Sequence, residues 1–156
     1  MTRGYFGVAA YRPKTSTNVG SLWRSATLFG AAFLGTVSHR YQKQPSDTGR
    51  AANTTPLVHY RDFDDLIEHL PHGCPVVGVE LDPRATELTN FVHPERALYL
   101  LGAEDDGPPP WLLDRCHYIV QIPTALPHSM NVACAGSLVM GHRYMSAKSR
   151  RMAVTS

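Results

Sequence analysis

The tightest constraint on this chain is a change of hydrophobic period within its first forty residues. Tyr5 to Ala10 reads Tyr-Phe-Gly-Val-Ala-Ala, a short uncharged run followed by the turn-rich Arg12-Pro-Lys-Thr-Ser-Thr17. A run this short, apolar at successive positions, suits a strand buried on both faces. From Asn18 to Phe29 the apolar side chains Leu22, Ala26 and Phe29 recur at helical spacing, and Gly30 stands where a glycine ends a helix. Ala32 to Val37 is again short and apolar. Strand, helix, strand at this spacing is a βαβ unit, because parallel strands need a crossover rather than a tight turn.

The remainder repeats the alternation. Leu57 to Tyr60 reads as a short strand, and Asp62 as the cap of a helix running to about Leu70 with Phe63, Leu66, Ile67 and Leu70 on one face. Pro75 to Glu80 is a third main strand, and Thr86 to Val92 one or two helical turns. Ala97 to Leu101, apolar throughout, is a fourth and central strand. Pro109 or Pro110 opens a short helix, and Tyr118 to Ile122 is a fifth main strand. A last helix runs from Met130 to about Ser146, with so many small residues (Ala133, Ala135, Gly136, Ser137, Gly141) that tight packing is expected there. The pattern predicts a single α/β domain with an open parallel sheet over residues 1–156, the last eight or so forming a flexible basic tail.

Bulk properties exclude several classes. At 156 residues the chain can bury one substantial core but has no room for a second large domain. The net charge of +2 is too small to argue nucleic-acid binding unless the basic residues cluster. Cys74, Cys116 and Cys134 form no CxxC pair and read as reduced thiols, the last two in apolar surroundings. No signal peptide and no membrane-length apolar run is apparent, so a cytoplasmic protein is expected. No Gly-x-Gly-x-x-Gly follows the first strand, which argues against a nicotinamide oxidoreductase. His69-x-x-His72-x-Cys74 is the nearest approach to a metal cage, and its three scattered ligands around a Pro-Gly turn predict no metal site.

Chemistry is expected where strands end, because ligands of open α/β sheets sit at their carboxyl edge. Three such ends are loop-like here: Glu80-Leu81, Gly102-Ala-Glu104, and Ile122-Pro123. The last opens Ile122-Pro-Thr-Ala-Leu-Pro-His-Ser-Met-Asn-Val-Ala133, where Pro123 and Pro127 halt the strand and delay the helix. Ser129 is the expected N-cap, with Asn131 in the first turn. Between Ser38 and Pro56 the chain is polar and aperiodic. It carries Arg40, Tyr41, Lys43 and Arg50, a basic and aromatic mix suited to a nucleic acid or to a plain solvated loop.

Three motifs stand in order along the chain: Asn18-Val-Gly-Ser-Leu-Trp-Arg24, then Leu101-Gly-Ala-Glu104-Asp-Asp-Gly107, then Ile122-Pro…Ser129-Met-Asn-Val132. In order and spacing, from about Tyr5 to Tyr144, they resemble the SpoU (TrmH-like) family of RNA 2′-O-methyltransferases in the SPOUT superfamily. Pro108-Pro-Pro and Ala133 depart from that family's pattern. The resemblance implies a mostly parallel sheet flanked by helices with a C-terminal trefoil knot, a homodimer whose subunits together build each site, and S-adenosyl-L-methionine as methyl donor. By the same resemblance Leu81, Leu101, Gly102, Glu104, Gly107, Ile122, Pro123, Met130 and Asn131 hold the cofactor. Arg24, Ser129 and Asn131 serve catalysis, and Arg12, Asn18, Arg40 and Lys43 meet the RNA. Such an enzyme displaces the sulfonium methyl in line with a ribose 2′ oxygen, work done largely by positioning and without metal. An arginine stays protonated, so Arg24 suits clamping phosphate and stabilising a developing alkoxide better than accepting a proton. The resemblance favours tRNA over rRNA; the alternative is a catalytically inactive knotted module that binds RNA or cofactor.

Overall fold

The computed structural model describes residues 4–41, 53–102 and 106–155. Seven strands form one sheet: β1 (Tyr5–Tyr11), β2 (Leu34–Val37), β3 (Leu57–Tyr60), β4 (Val76–Val79), β5 (Thr86–Glu87), β6 (Arg96–Leu101) and β7 (Tyr118–Gln121). Their spatial order is β3-β2-β1-β6-β4-β7-β5, and every pairing is parallel. β6, expected as the central strand, lies between β1 and β4, paired with β1 from Tyr5↔Arg96 to Ala10↔Leu101.

Period-2 alternation divides the strand residues between two cores. Phe6, Val8 and Ala10 of β1 and Ala97, Tyr99 and Leu101 of β6 face one side, where α1 (Ser16–Leu28) contributes Val19, Leu22, Trp23 and Ala26. The same core takes Val139 and Met140 from the C-terminal helix. Ala9, Tyr11, Leu98 and Leu100 face the other side, against Phe63 and Leu66 of α2 (Phe63–Glu68) and Leu112 of α3 (Pro110–Asp114). Burial on both faces is why these strands read as apolar runs instead of alternating.

Helix ends follow local chemistry. Asp62 caps α2 by accepting from Asp65 N–H at 2.8 Å, as expected. α1 ends in a Schellman arrangement: Ala31 N–H donates to Ala26 O, Gly30 N–H to Thr27 O, and Gly30 takes φ +80°. Three expectations need correction. Thr86 to Val92 holds one helical turn, the 3-10 helix Leu88–Asn90, but opens with an unexpected two-residue edge strand, because Thr86 and Glu87 pair with Val120 and Gln121. The last helix, α4 (Val132–Thr155), continues past Ser146, so the expected tail is helical through Thr155. Cys134 is exposed rather than packed, whereas Cys116 sits against Gly78 and burial pushes its thiol up to about 11.

The close packing expected of the last helix is made with α1 of the same chain. A Cβ on Gly136 would lie 2.4 Å from Leu22 Cδ1 and 2.9 Å from Leu101 Cδ1, and Gly141 faces the Phe29 ring. Ser25 and Ser137 hydroxyls meet at 2.6 Å across this seam. No described helix is long and apolar enough to cross a membrane.

Candidate active site

Parallel pairing brings the carboxyl ends of all seven strands to one edge, and the cavity opens there between the loops that follow β4, β6 and β7. Its volume of about 560 Å³ falls within the range that holds a nucleoside-sized ligand. Leu81, Leu101, Gly102, Gly107, Ile122, Ser129, Met130, Asn131 and Asn18 all line it, so residues from the three motifs converge across more than a hundred positions of sequence.

The convergence has a hinge pin. Asn131 Nδ2 donates to Asn18 Oδ1 at 2.9 Å, tying the first turn of α1 to the start of α4. Asn131 Oδ1 in turn accepts from Ala133 N–H at 2.9 Å and Cys134 N–H at 3.2 Å. Asn131 is therefore the N-cap of α4, and Ser129, expected in that role, sits two residues ahead on the exposed cavity wall. Behind it, the proline loop is braced by Thr124 Oγ1 donating to Leu126 O at 2.6 Å and His128 N–H donating to the same carbonyl at 2.9 Å.

Gly102 owes its identity to crowding: a Cβ there would stand 2.2 Å from Pro108 Cδ, so the loop after β6 closes only over a glycine. Gly107 has φ +66°, a left-handed conformation that glycine adopts without strain. On the opposite wall the loop after β4 is clamped by Arg84. Its Nε donates to Asp82 Oδ1 at 3.0 Å and its Nη1 to Asp114 Oδ1 of α3 at 2.7 Å. Hydrogen bonds from the Arg84 side chain and backbone hold the Asp82 carboxyl below the ordinary carboxylate range.

Not every expected residue is at the cavity. Pro123 is exposed and outside its lining. Arg24 is exposed on α1 and does not line the cavity of its own chain. Arg12 and Arg40 are exposed just beyond the ends of β1 and β2, on the same edge of the sheet. Glu104 and Lys43 lie outside the described residues. His69 neighbours Asp65 and Glu68, their ligand atoms within 4.8 Å of one another, rather than His72 and Cys74.

Sequence reasoning gave no site role to Asp106, Pro108, Leu113, Thr124 and His128, which also line the cavity, and named Glu80 only as a strand end. Glu80 had a visible signal, a carboxylate closing an otherwise apolar strand at the edge where ligands bind. Leu113 had none, because it packs beside Gly78 of β4 and reads as ordinary core.

Residues 5–141 match the SpoU rRNA Methylase family. Over 131 residues the chain is 33% identical to tRNA (guanosine(18)-2'-O)-methyltransferase TARBP1 of Mus musculus, a match spanning 80% of this chain and 8% of that protein. The SpoU methyltransferase AviRb from Streptomyces viridochromogenes, solved in complex with AdoMet, superposes with a TM-score of 0.80 at 24% identity, covering 96% of this chain and 60% of that one. The A. aeolicus TrmH/SpoU tRNA modifying enzyme gives a TM-score of 0.83 at 15% identity over 97% of this chain and 79% of that one. The fold is thus the one these structures share.

Proposed function

The chain belongs to the SpoU methylase family, and from that premise we propose that it transfers a methyl group from S-adenosyl-L-methionine to a ribose 2′-hydroxyl of RNA, with tRNA as the favoured substrate. The observation that carries the reading is the cavity whose floor is the Asn18–Asn131 bond and whose walls are Leu81, Leu101, Gly102, Ile122 and Met130. Its size, its exposed main chain and its carboxylates suit a cationic nucleoside such as the one AviRb was solved with. When bound, that cofactor supplies an electrophilic sulfonium methyl.

The protein's own share is positioning. Main-chain groups of the loops after β6 and β7 hold the nucleoside, inside a trefoil knot on this reading. Asn131 fixes the loop ahead of α4, and Ser129 stands beside the reacting hydroxyl. Arg12 and Arg40 take the RNA backbone along the same edge, and Lys43 is assigned to the RNA with them. Arg24 lies outside its own chain's cavity and, in a homodimer, completes the neighbour's, clamping phosphate and stabilising the 2′ oxygen as it loses its proton. A tRNA substrate is supported by the TARBP1 likeness. The setting proposed is the cytoplasm.

The test is transfer of labelled methyl to tRNA and rRNA with nucleoside mass spectrometry of the product. The expected product is a 2′-O-methylated nucleotide in tRNA. Arg24→Ala should lower transfer by about a hundredfold or more while leaving cofactor affinity within about twofold. The competing reading, a module that binds cofactor or RNA without turnover, draws on the distance of Arg24 from its own cavity. Cofactor binding with no methyl on any RNA would establish it.

A further inference from the structure

Glu80 places a carboxylate on the cavity wall that pairs with no cation among the described residues. Glu80 follows directly on β4, and its N–H donates to Val120 O at 3.0 Å, which extends the ladder onto β7 and fixes the residue's backbone. One carboxylate oxygen, Oε1, accepts from Leu81 N–H at 2.8 Å. The other, Oε2, faces the turn at Gly107, where an added Cβ would lie 2.8 Å from it. Glycine at that turn thus makes room for the carboxylate as well as for the backbone. Among the described residues Glu80 enters no ion pair. Arg84, a cation a few residues along the same loop, is engaged by Asp82 and Asp114. The other titratable groups on the described wall, Asp106 and His128, are exposed. A half-buried carboxylate held by one bond, with its second oxygen beside the cavity-lining Gly107, favours a cationic ligand.

We propose that Glu80 is the counter-charge of the methyl donor, and that through it the site prefers S-adenosylmethionine to its demethylated product. The inference rests on the functional reading above. Donor and product share the adenosine, the amino group and the carboxylate, and differ by the methyl and the sulfonium charge. The donor carries one net positive charge and the product none. An oxygen accepting only from a ribose hydroxyl would bind both alike, whereas a carboxylate acting at the sulfur meets a positive charge in the donor and none in the product. The same carboxylate weakens its hold once the methyl has left, so it assists product release.

Calorimetry on the full chain, with S-adenosylmethionine, S-adenosylhomocysteine and sinefungin (an amine-bearing analogue that keeps a positive charge in place of the sulfonium), distinguishes these cases. Glu80→Gln keeps the shape and an acceptor for Leu81 N–H while removing the charge. The donor and sinefungin should then bind about tenfold more weakly, as expected for loss of one partly screened charge, with S-adenosylhomocysteine affinity changed less than about twofold. Equal losses for all three ligands, or no loss for any, overturn the proposal. Should the variant fail to fold, wild-type salt dependence decides: donor affinity should fall with added KCl more steeply than product affinity, and parallel slopes refute the idea. Wild-type protein binding none of the three overturns the functional reading itself, which is a different failure.

Discussion

Arg143, on the inward face of α4, buries its guanidinium against main-chain carbonyls. Nη1 donates to Pro94 O at 2.6 Å and to Tyr99 Oη at 3.1 Å, Nη2 donates to Glu95 O at 2.7 Å, and the group lies 5.0 Å over the Phe6 ring. The planar fork reaches two successive carbonyls at once, which an ammonium cannot do. Arg143→Lys should therefore destabilise the protein by about 2–4 kcal/mol, mostly the cost of leaving buried acceptors unpaired. Thermal melts should show a drop of roughly 5–15 °C; a fall of under about 2 °C would mean that water replaces the lost donors. His93 continues the cluster, bonded to Tyr99 Oη at 2.6 Å and to His142 at 2.8 Å. Burial pushes the Tyr99 hydroxyl up, and Arg143 opposes it. None of this was legible beforehand. Arg143 reads as one of several basic residues trailing off a helix, and only its burial distinguishes it. Likewise Ser129 and Asn131 are both competent caps, and the choice between them is made by Asn18, which lies next to Asn131 only after folding.

Among elements, the loop after β4 shows how a weak surface contact acts on a site. Arg84 bridges Asp82 of that loop to Asp114 of α3, and its side chain is 52% exposed. Exposed pairs of this kind contribute little to global stability. Yet Leu81 and Leu113, each beside one of the two carboxylates, line the cavity from its two sides. Arg84→Ala should leave the melting temperature within about 2 °C of wild type and weaken cofactor binding about three- to tenfold, with Arg84→Lys recovering part of the loss. Unchanged affinity measured by calorimetry would show that the clamp is incidental. The elements themselves were largely readable: β1, α1, β2, β4, β6, β7 and α3 follow from apolar runs, helical spacing and proline or glycine at the ends. The exceptions were elements whose character comes from a neighbour. β5 is a strand because β7 offers its edge, and α4 persists to Thr155 beyond the last residue that core packing would have predicted.

At the scale of the whole molecule, Arg24 is exposed and absent from the cavity lining of its own chain, so the proposed role for it requires a second subunit. If each site of a homodimer draws Arg24 from the partner, mixing two inactive variants should restore activity. Arg24→Ala lacks the cation, and Met130→Trp fills the cavity with a bulky ring. Co-refolded heterodimers should regain a substantial fraction of wild-type methyl transfer, whereas each homodimer alone stays inactive. Absence of any recovery would place Arg24 within its own subunit's chemistry or outside the chemistry altogether.

What the sequence by itself determined is the class of fold and the edge of the sheet at which the cavity opens. Short apolar runs separated by helical patterns leave a two-sided parallel sheet as the economical way to bury them, and glycines and prolines mark three strand ends as loops. Only the tertiary structure decided which of those ends meet. The order β1-β6-β4-β7 sets the loops after Leu101, Val79 and Gln121 side by side, with the start of α1 above them. Sheet order is a property of distant pairings that leaves no local trace. For that reason the Asn18–Asn131 bond, the approach of Glu80 to Gly107 and the position of Arg24 outside the cavity became visible only in three dimensions.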